Sequence, residues 1–189
     1  MSSKDTKKDH LLEIASKLFY EQGYRSTGIK QIIDEAGIAK GTFYSHFKSK
    51  DDLGLAWLQK RHRQWNTWRE DHVAQTNDSS KKQLLSLFTF LEQWMEECEY
   101  RGCAFLNTMA ETPDTNNPMR KEIQNHKDSH RQFIRRRVDA VFPLKSDEEN
   151  QQKTNVIFLL FEAGLIESQN FCSNWPITAA RKQVEAMLE

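Results

Sequence analysis

The chain has 189 residues, 38% hydrophobic and 29% charged, with a mean hydropathy of −0.78, enough to bury a core in one or two compact domains without metal or disulfide staples. Its longest apolar stretch, residues 156–166, is interrupted by Glu162 and falls short of the roughly 17–25 residues of a membrane span, and the start MSSKDTKKDH has no apolar core of a signal peptide. The net charge is zero but polarised, with nine basic and six acidic side chains in residues 1–50 against 18 and 21 in the rest, which suggests a polyanion at the basic end. Three cysteines argue against a disulfide scaffold and for a reducing cytoplasm.

Only four prolines and seven glycines punctuate the chain, and no period-2 run bounded by turn residues appears, so an all-α fold of about nine helices is expected. Leu11, Ile14, Ala15, Leu18 and Phe19 share one helix face, and Gly23 stops that helix. Thr27 is expected to cap a short second helix burying Ile29, Ile32 and Ile33, and Gly37 to end it, because glycine accepts the left-handed C′ conformation. A third short helix is expected over about 39–47. Ser49 reads as the cap of a fourth, running from 50 to about 74, with Asp51 and Asp52 in a first turn where the helix dipole favours them. The polar stretch 75–80 reads as a linker or bend. Further helices are expected over 81–97, with Leu84, Leu87, Phe88, Leu91 and Met95 on one face, then over 104–111, 119–141 and 147–171. The segment TPDTNNP, 112–118, reads as a loop, and Pro176 suits the first turn of a last helix ending near 188.

Helices two and three meet at Ala36-Gly37-Ile38, the spacing of a helix-turn-helix, whose second helix enters the major groove of DNA. Ile38, Phe43 and Phe47 are placed to anchor that helix inward, leaving Lys40, Gly41, Thr42, Tyr44, Ser45 and His46 as its outward or edge set. Gly41 permits close backbone approach, Lys40 donates to guanine or phosphate, and Thr42 bonds either. Lys50 adds an ammonium to the orphan N–H groups of a helix start, a ready phosphate site. The same geometry also occurs in plain helical hairpins.

The residues Gly23-Tyr24-Arg25-Ser26-Thr27-Gly28-Ile29, Ile32, Ala36-Gly37-Ile38 and 40–53, KGTFYSHFKSKDDL, resemble the signature of the TetR family of bacterial transcriptional regulators, over about residues 8–56. The resemblance implies a three-helix DNA-binding head over residues 1–50 and a ligand-binding and dimerisation body over 51–189. It implies a homodimer, most simply a repressor, that binds a pseudo-palindromic double-stranded DNA operator and is released by a small-molecule inducer. Under it, Thr27, Thr42, Tyr44 and Lys50 are similar to phosphate contacts, and Lys40, Gly41 and His46 to groove-facing positions. Two positions depart from the pattern: Ala39 stands where family members often carry a capping Ser, and Ile33 where a small residue is common.

The stretch VIFLLFEAGLI, 156–166, is apolar almost all round, so one side is expected to face its own core and the other a partner. With the last helix it supplies the dimer residues the resemblance implies: Leu159, Leu160, Ala163, Ile166, Ala180, Val184 and Met187. Trp65, Trp68, Phe88, Leu91, Trp94, Cys103, Asn107, Phe133 and Phe161 are the ligand-binding candidates, with Asn107, Glu111 and Gln132 as polar anchors, although aromatics dominate ordinary cores as well. Cys103 follows Arg101-Gly102 near a helix start, where a thiol is a better nucleophile, which opens a cysteine-based redox or electrophile sensor beside the reading of a buried filler. His126 and His130, at i and i+4, lack a clear third ligand and read as a polar helix face, as does Arg135-Arg136-Arg137, so no metal and no cofactor are expected. With no paired acid and base, nucleotide loop or nucleophile elbow, an enzyme is not expected; a helical adaptor that has lost DNA binding is the remaining rival.

Overall fold

A computed structural model describes residues 3–76 and 79–189. Met1, Ser2, Asn77 and Asp78 lie outside them, and with them part of the N-terminal segment and of the linker read over 75–80. Among the described residues there are nine helices and no strand: α1 Ser3–Gln22, α2 Ile29–Ala36, α3 Lys40–His46, α4 Lys50–Gln75, α5 Ser80–Glu97, α6 Ala104–Glu111, α7 Pro118–Val141, α8 Asp147–Phe171 and α9 Trp175–Met187. None is long and apolar enough to cross a membrane.

The chain forms two compact units. The first comprises residues up to Arg63 together with Ala104–Asn125. Its core is Leu11, Ala15, Leu18, Phe19, Ile32, Phe43, Leu53 and Trp57, with Phe19 tilted against Trp57 and Tyr24 at 5.2 and 5.0 Å between ring centroids. Lys60 pairs with Glu13, and the Arg61 guanidinium lies 4.3 Å over the Tyr20 ring, tying α1 to the first half of α4. Gly54 lets Tyr24 and the start of α7 approach α4, because a Cβ there would meet Met119 Sδ at 2.6 Å and the Tyr24 ring at 2.7 Å.

The second unit comprises Gln64–Cys103 and His126–Glu189. α8 and α9 pack closely, with Gly164 against Ile177 and Ala180. A complete capping box, Ser146 with Glu149, starts α8: the Ser146 hydroxyl accepts from the Glu149 N–H, and the Glu149 carboxylate accepts from the Ser146 N–H. The Lys145 ammonium at 2.9 Å, and then the bonds from Ser146, hold the Glu149 carboxyl down to about 2.

One helix start differs from expectation. Ser79 caps α5 and Ser49 caps α4, the latter as its spacing predicts. The cap of α2 is Gly28, not Thr27. Thr27 is fully buried, and its hydroxyl donates to the Gly23 carbonyl at 2.8 Å, with that of Leu18 at 3.3 Å. Its side chain therefore stitches the α1–α2 turn and is turned away from any phosphate, which corrects both roles read for it.

Candidate nucleic-acid interface

The turn between α2 and α3 is built by Gly37 at φ 61, ψ 34, a left-handed conformation that glycine adopts without steric cost. Its N–H reaches the Asp34 carbonyl, and the N–H of Ile38 reaches that of Ile33, both at 3.2 Å, so the last carbonyls of α2 are satisfied in a Schellman-like close. α3 then starts behind Ala39, which is extended and offers no side-chain cap, in agreement with the missing serine. Phe43 and Phe47 are buried and clamp the helix inward, with ring centroids 6.3 Å apart. Lys40, Gly41, Tyr44 and Ser45 are exposed, and Thr42 and His46 lie at the edge. Tyr44 is 46% exposed, an aromatic ring held in solvent, with the Lys40 ammonium 6.0 Å over it. Nothing lies within 4 Å of a Cβ built on Gly41, so the backbone there is open to an approaching surface. Lys40, Gly41, Tyr44 and Ser45 therefore share one exposed face, with Thr42 and His46 along its edge.

Lys50 is half-buried behind this face. Its ammonium sits 4.5 Å over the Tyr24 ring and donates to the Arg25 carbonyl at 3.3 Å. Burial lowers its pKa, with Asp51 and Glu111 in partial opposition. A bonded chain that the sequence does not announce runs behind it. The Tyr24 hydroxyl donates to Asp51, whose other oxygen accepts from Asn117 Nδ2 at 2.7 Å. Burial and the Asp51 carboxylate push the Tyr24 phenol well above its ordinary value. Glu111, read as a ligand anchor, instead accepts the Arg25 N–H at 2.5 Å in this unit.

In the second unit Trp65 meets Phe90 and Trp94 edge-on at 5.0 and 4.8 Å, and Phe88 meets Phe161 at 5.7 Å. With Leu91 and Phe133 these are buried, whereas Trp68 is 44% exposed. Asn107 belongs to the first unit, and Gln132 is exposed. Cys103 is buried, and its Sγ lies 3.8 Å from Lys127 Nζ, which also donates to Glu162 at 2.6 Å. Burial works against the Lys127 charge, but Cys103 and Glu162 outweigh it and its pKa is raised.

His126 and His130 are not on a solvated face; both are buried. The arginine run divides. Arg135 bonds Asp139, Gln151 and Asp147 at the surface, while Arg137 lies 3.4 Å over the Phe133 ring. Of the dimer residues, Leu159, Ala163 and Ile166 are exposed, and Leu160 and Met187 partly so. Val184 is fully buried within its own chain, which corrects it as a partner contact, and Ala180 is buried beside Gly164 of α8, which leaves it only an edge of the adjoining groove. The sequence reading missed Arg69 altogether. Leu58, Trp65, Arg69 and Val73 fall at steps of seven, four and four, one stripe of α4, so a charge on an apolar face was the available signal.

A helix-turn-helix whose recognition helix bares a lysine, a glycine and a tyrosine, in an all-helical chain, defines a helix-turn-helix regulator. Residues 11–56 match the family model of bacterial regulatory proteins, tetR family, and residues 80–184 match the tetracyclin repressor-like C-terminal domain. The chain belongs to the TetR family, whose members are DNA-binding regulators rather than enzymes. It is similar to the HTH-type transcriptional repressor NemR of Escherichia coli K12, 24% identical over 61% of this chain and 59% of that protein's length. It is also similar to the repressor KstR2 of Mycolicibacterium smegmatis, 31% identical over 44% of this chain and 40% of that protein. The match thus spans less than two thirds of these relatives. Among solved structures, a TetR-family regulator from Streptomyces coelicolor superposes with a TM-score of 0.85 at 25% identity, over 96% of this chain and 94% of that one. The reduced form of Escherichia coli NemR shares the fold with a TM-score of 0.81 at 18% identity, over 96% of each chain.

Proposed function

We propose that this protein is a cytoplasmic repressor whose residues 1–50 read DNA and whose residues 51–189 dimerise and bind an inducer. The observation that carries the reading is the exposed face of α3, held by Phe43 and Phe47. Lys40, Gly41, Tyr44 and the edge residues Thr42 and His46 enter one major groove, with Lys50 behind them, and the second copy reads the other half of a pseudo-palindrome. The two curated relatives described above are named repressors, which supports the sign of regulation.

The second copy docks on α8 and α9. Leu159 is 62% exposed, and Val156 and Ile166 stand in solvent beside it. A groove of about 260 Å³, lined by Leu160, Ala163, Trp175, Pro176 and Ala179, adjoins them. An inducer held among Trp65, Phe88, Leu91, Trp94, Phe133 and Phe161 releases the operator by preferring one of two states, with α4 as the lever.

Selection of duplexes from a random library at about 0.15 M salt, where nonspecific binding is weak, is expected to enrich one inverted repeat. Lys40→Ala with Tyr44→Ala abolishes that binding while the protein stays folded; unchanged binding, or no enriched repeat, sinks the reading and favours an adaptor.

A thiol-sensing variant of this reading is favoured by the 3.8 Å approach of Cys103 to Lys127. Alkylation or oxidation there disturbs the Lys127–Glu162 pair, and a NemR structure is described as a reduced form. Operator release by iodoacetamide that persists in Cys103→Ala excludes it.

A further inference from the structure

The apolar stripe of α4 holds one charged side chain, Arg69, and it is 1% exposed. A guanidinium is always charged and carries five donors in a fixed fork. Inside the second unit, its NH1 donates to His130 Nδ1 at 3.3 Å, and its Cζ lies 3.9 Å over the Phe133 ring. The opposite edge, Nε with NH2, is the one that grips a carboxylate by two parallel bonds. Among the described residues Nε finds no acceptor, and NH2 has Glu70 at 3.6 Å. That carboxylate is 58% exposed, so it is spent largely on water.

The neighbours add charge without balancing it. Arg137 lies over the same Phe133 ring, its NH1 donating to the Phe133 carbonyl at 3.1 Å, and its Nε also lacks an acceptor. Lys127 is already matched by Glu162. His130 is 2% exposed; because its Nδ1 accepts from Arg69, its proton sits on Nε2, which is buried without a partner. Burial, with Arg69 and Lys127 near, holds its pKa well below 6.5, so the ring is neutral at pH 7. Burial, with Arg137 and Arg136 adding to it against Glu70, holds Arg69 down to about 10. Protein interiors keep a buried charge where a countercharge meets it, and keep buried donors bonded. Here three buried donors and two guanidiniums face no buried carboxylate among the described residues. The walls are aromatic: His130 lies 4.4 Å from Phe161 and 6.0 Å from Phe158 between ring centroids.

We propose that the second unit binds an organic carboxylate, its two oxygens on the Nε–NH2 edge of Arg69, with His130 Nε2–H as a further donor and Phe133 and Phe161 against its apolar part. This rests on the inducer reading and names the chemical class of that ligand. The neutral His130 suits an ionised acid, since it donates a bond without bringing its own charge.

The test is calorimetric titration and thermal shift of the full-length protein with benzoate and octanoate, against benzamide and octanamide, near neutral pH. The amides keep size and shape and lose the charge. The expected result is that at least one carboxylate binds about tenfold or more tighter than its amide. Arg69→Met erases that preference, yet the ligand-free variant keeps or raises the wild-type Tm, because an uncompensated buried charge is gone. Arg69→Lys keeps the charge without the two-bond edge and weakens carboxylate binding. Equal binding of acid and amide, no binding of either at millimolar concentration, or full carboxylate binding by Arg69→Met overturns the proposal. The titration contains no DNA, so its failure leaves operator binding standing, and failure of duplex selection leaves the carboxylate result standing.

Discussion

At the scale of single residues, the interior polar groups decide most. His130 is the clearest case for pH. Burial, with Arg69 and Lys127 near, keeps it neutral in the folded chain to well below 6.5, whereas the unfolded chain titrates near 6.5. Below 6.5 the unfolded state binds a proton that the folded state refuses, so stability falls as pH drops from 6.5 toward the folded value. The slope is about 1.4 kcal/mol per pH unit for one such group. His130→Gln keeps a hydrogen-bonding partner for Arg69 and removes the titration. Urea unfolding at about pH 7.5 and 5.5 should therefore show a smaller pH loss in the variant, by roughly that amount; equal losses in both proteins contradict the assignment. Thr27 makes the complementary point. It is a hydroxyl in a DNA-binding signature that serves the fold rather than the ligand, because the Leu18 carbonyl of α1 and the Gly23 carbonyl of the turn lie within its reach.

At the scale of elements, two glycines in helices behave oppositely. Exchanging helix-interior Gly for Ala gains up to about 1 kcal/mol from propensity alone. At Gly54 that gain loses to overpacking against the Tyr24 ring and Met119, which costs about 1–3 kcal/mol. Gly54→Ala is expected to lower Tm. At Gly41 the added Cβ meets nothing within 4 Å, so Gly41→Ala is expected to hold or raise Tm while weakening operator binding about tenfold or more, as the methyl group would stand where α3 is proposed to meet the groove. Thermal unfolding and operator titration of the pair check both directions; operator affinity unchanged in Gly41→Ala would remove that residue from the interface. The element bounds themselves were largely readable. α6 at Ala104–Glu111 and α8 at Asp147–Phe171 fall where periodicity, caps and breakers place them, since those signals are local to the helix that they bound.

At the scale of the whole molecule, the proposed assembly depends on a face that one copy leaves bare. Val156, Leu159 and Ile166 project from α8 into solvent, while Ile157, Phe161 and Leu165 of the same helix are buried. An isolated chain gains nothing from three branched apolar side chains in water, and in the proposed dimer a second copy covers them. Leu159→Glu with Ile166→Glu is expected to leave the fold intact, because both positions are exposed, and to yield monomers by sedimentation. Operator affinity then falls, because each head must bind its half-site alone. A dimer that survives both substitutions places the interface elsewhere.

The amino-acid sequence by itself determined the helices, the helix-turn-helix and the outward set of α3, because those follow from spacing, glycine placement and capping within a few residues of one another. Only the tertiary structure decided which polar groups are enclosed. Glu111 meets Arg25 across 86 residues of chain, Arg69 meets His130 across 61, and Val184, read as a partner contact, is fully buried within its own chain. Burial of a polar or apolar side chain is a property of what packs upon it. Where the partner lies dozens of residues away, the local pattern carries no trace of the encounter.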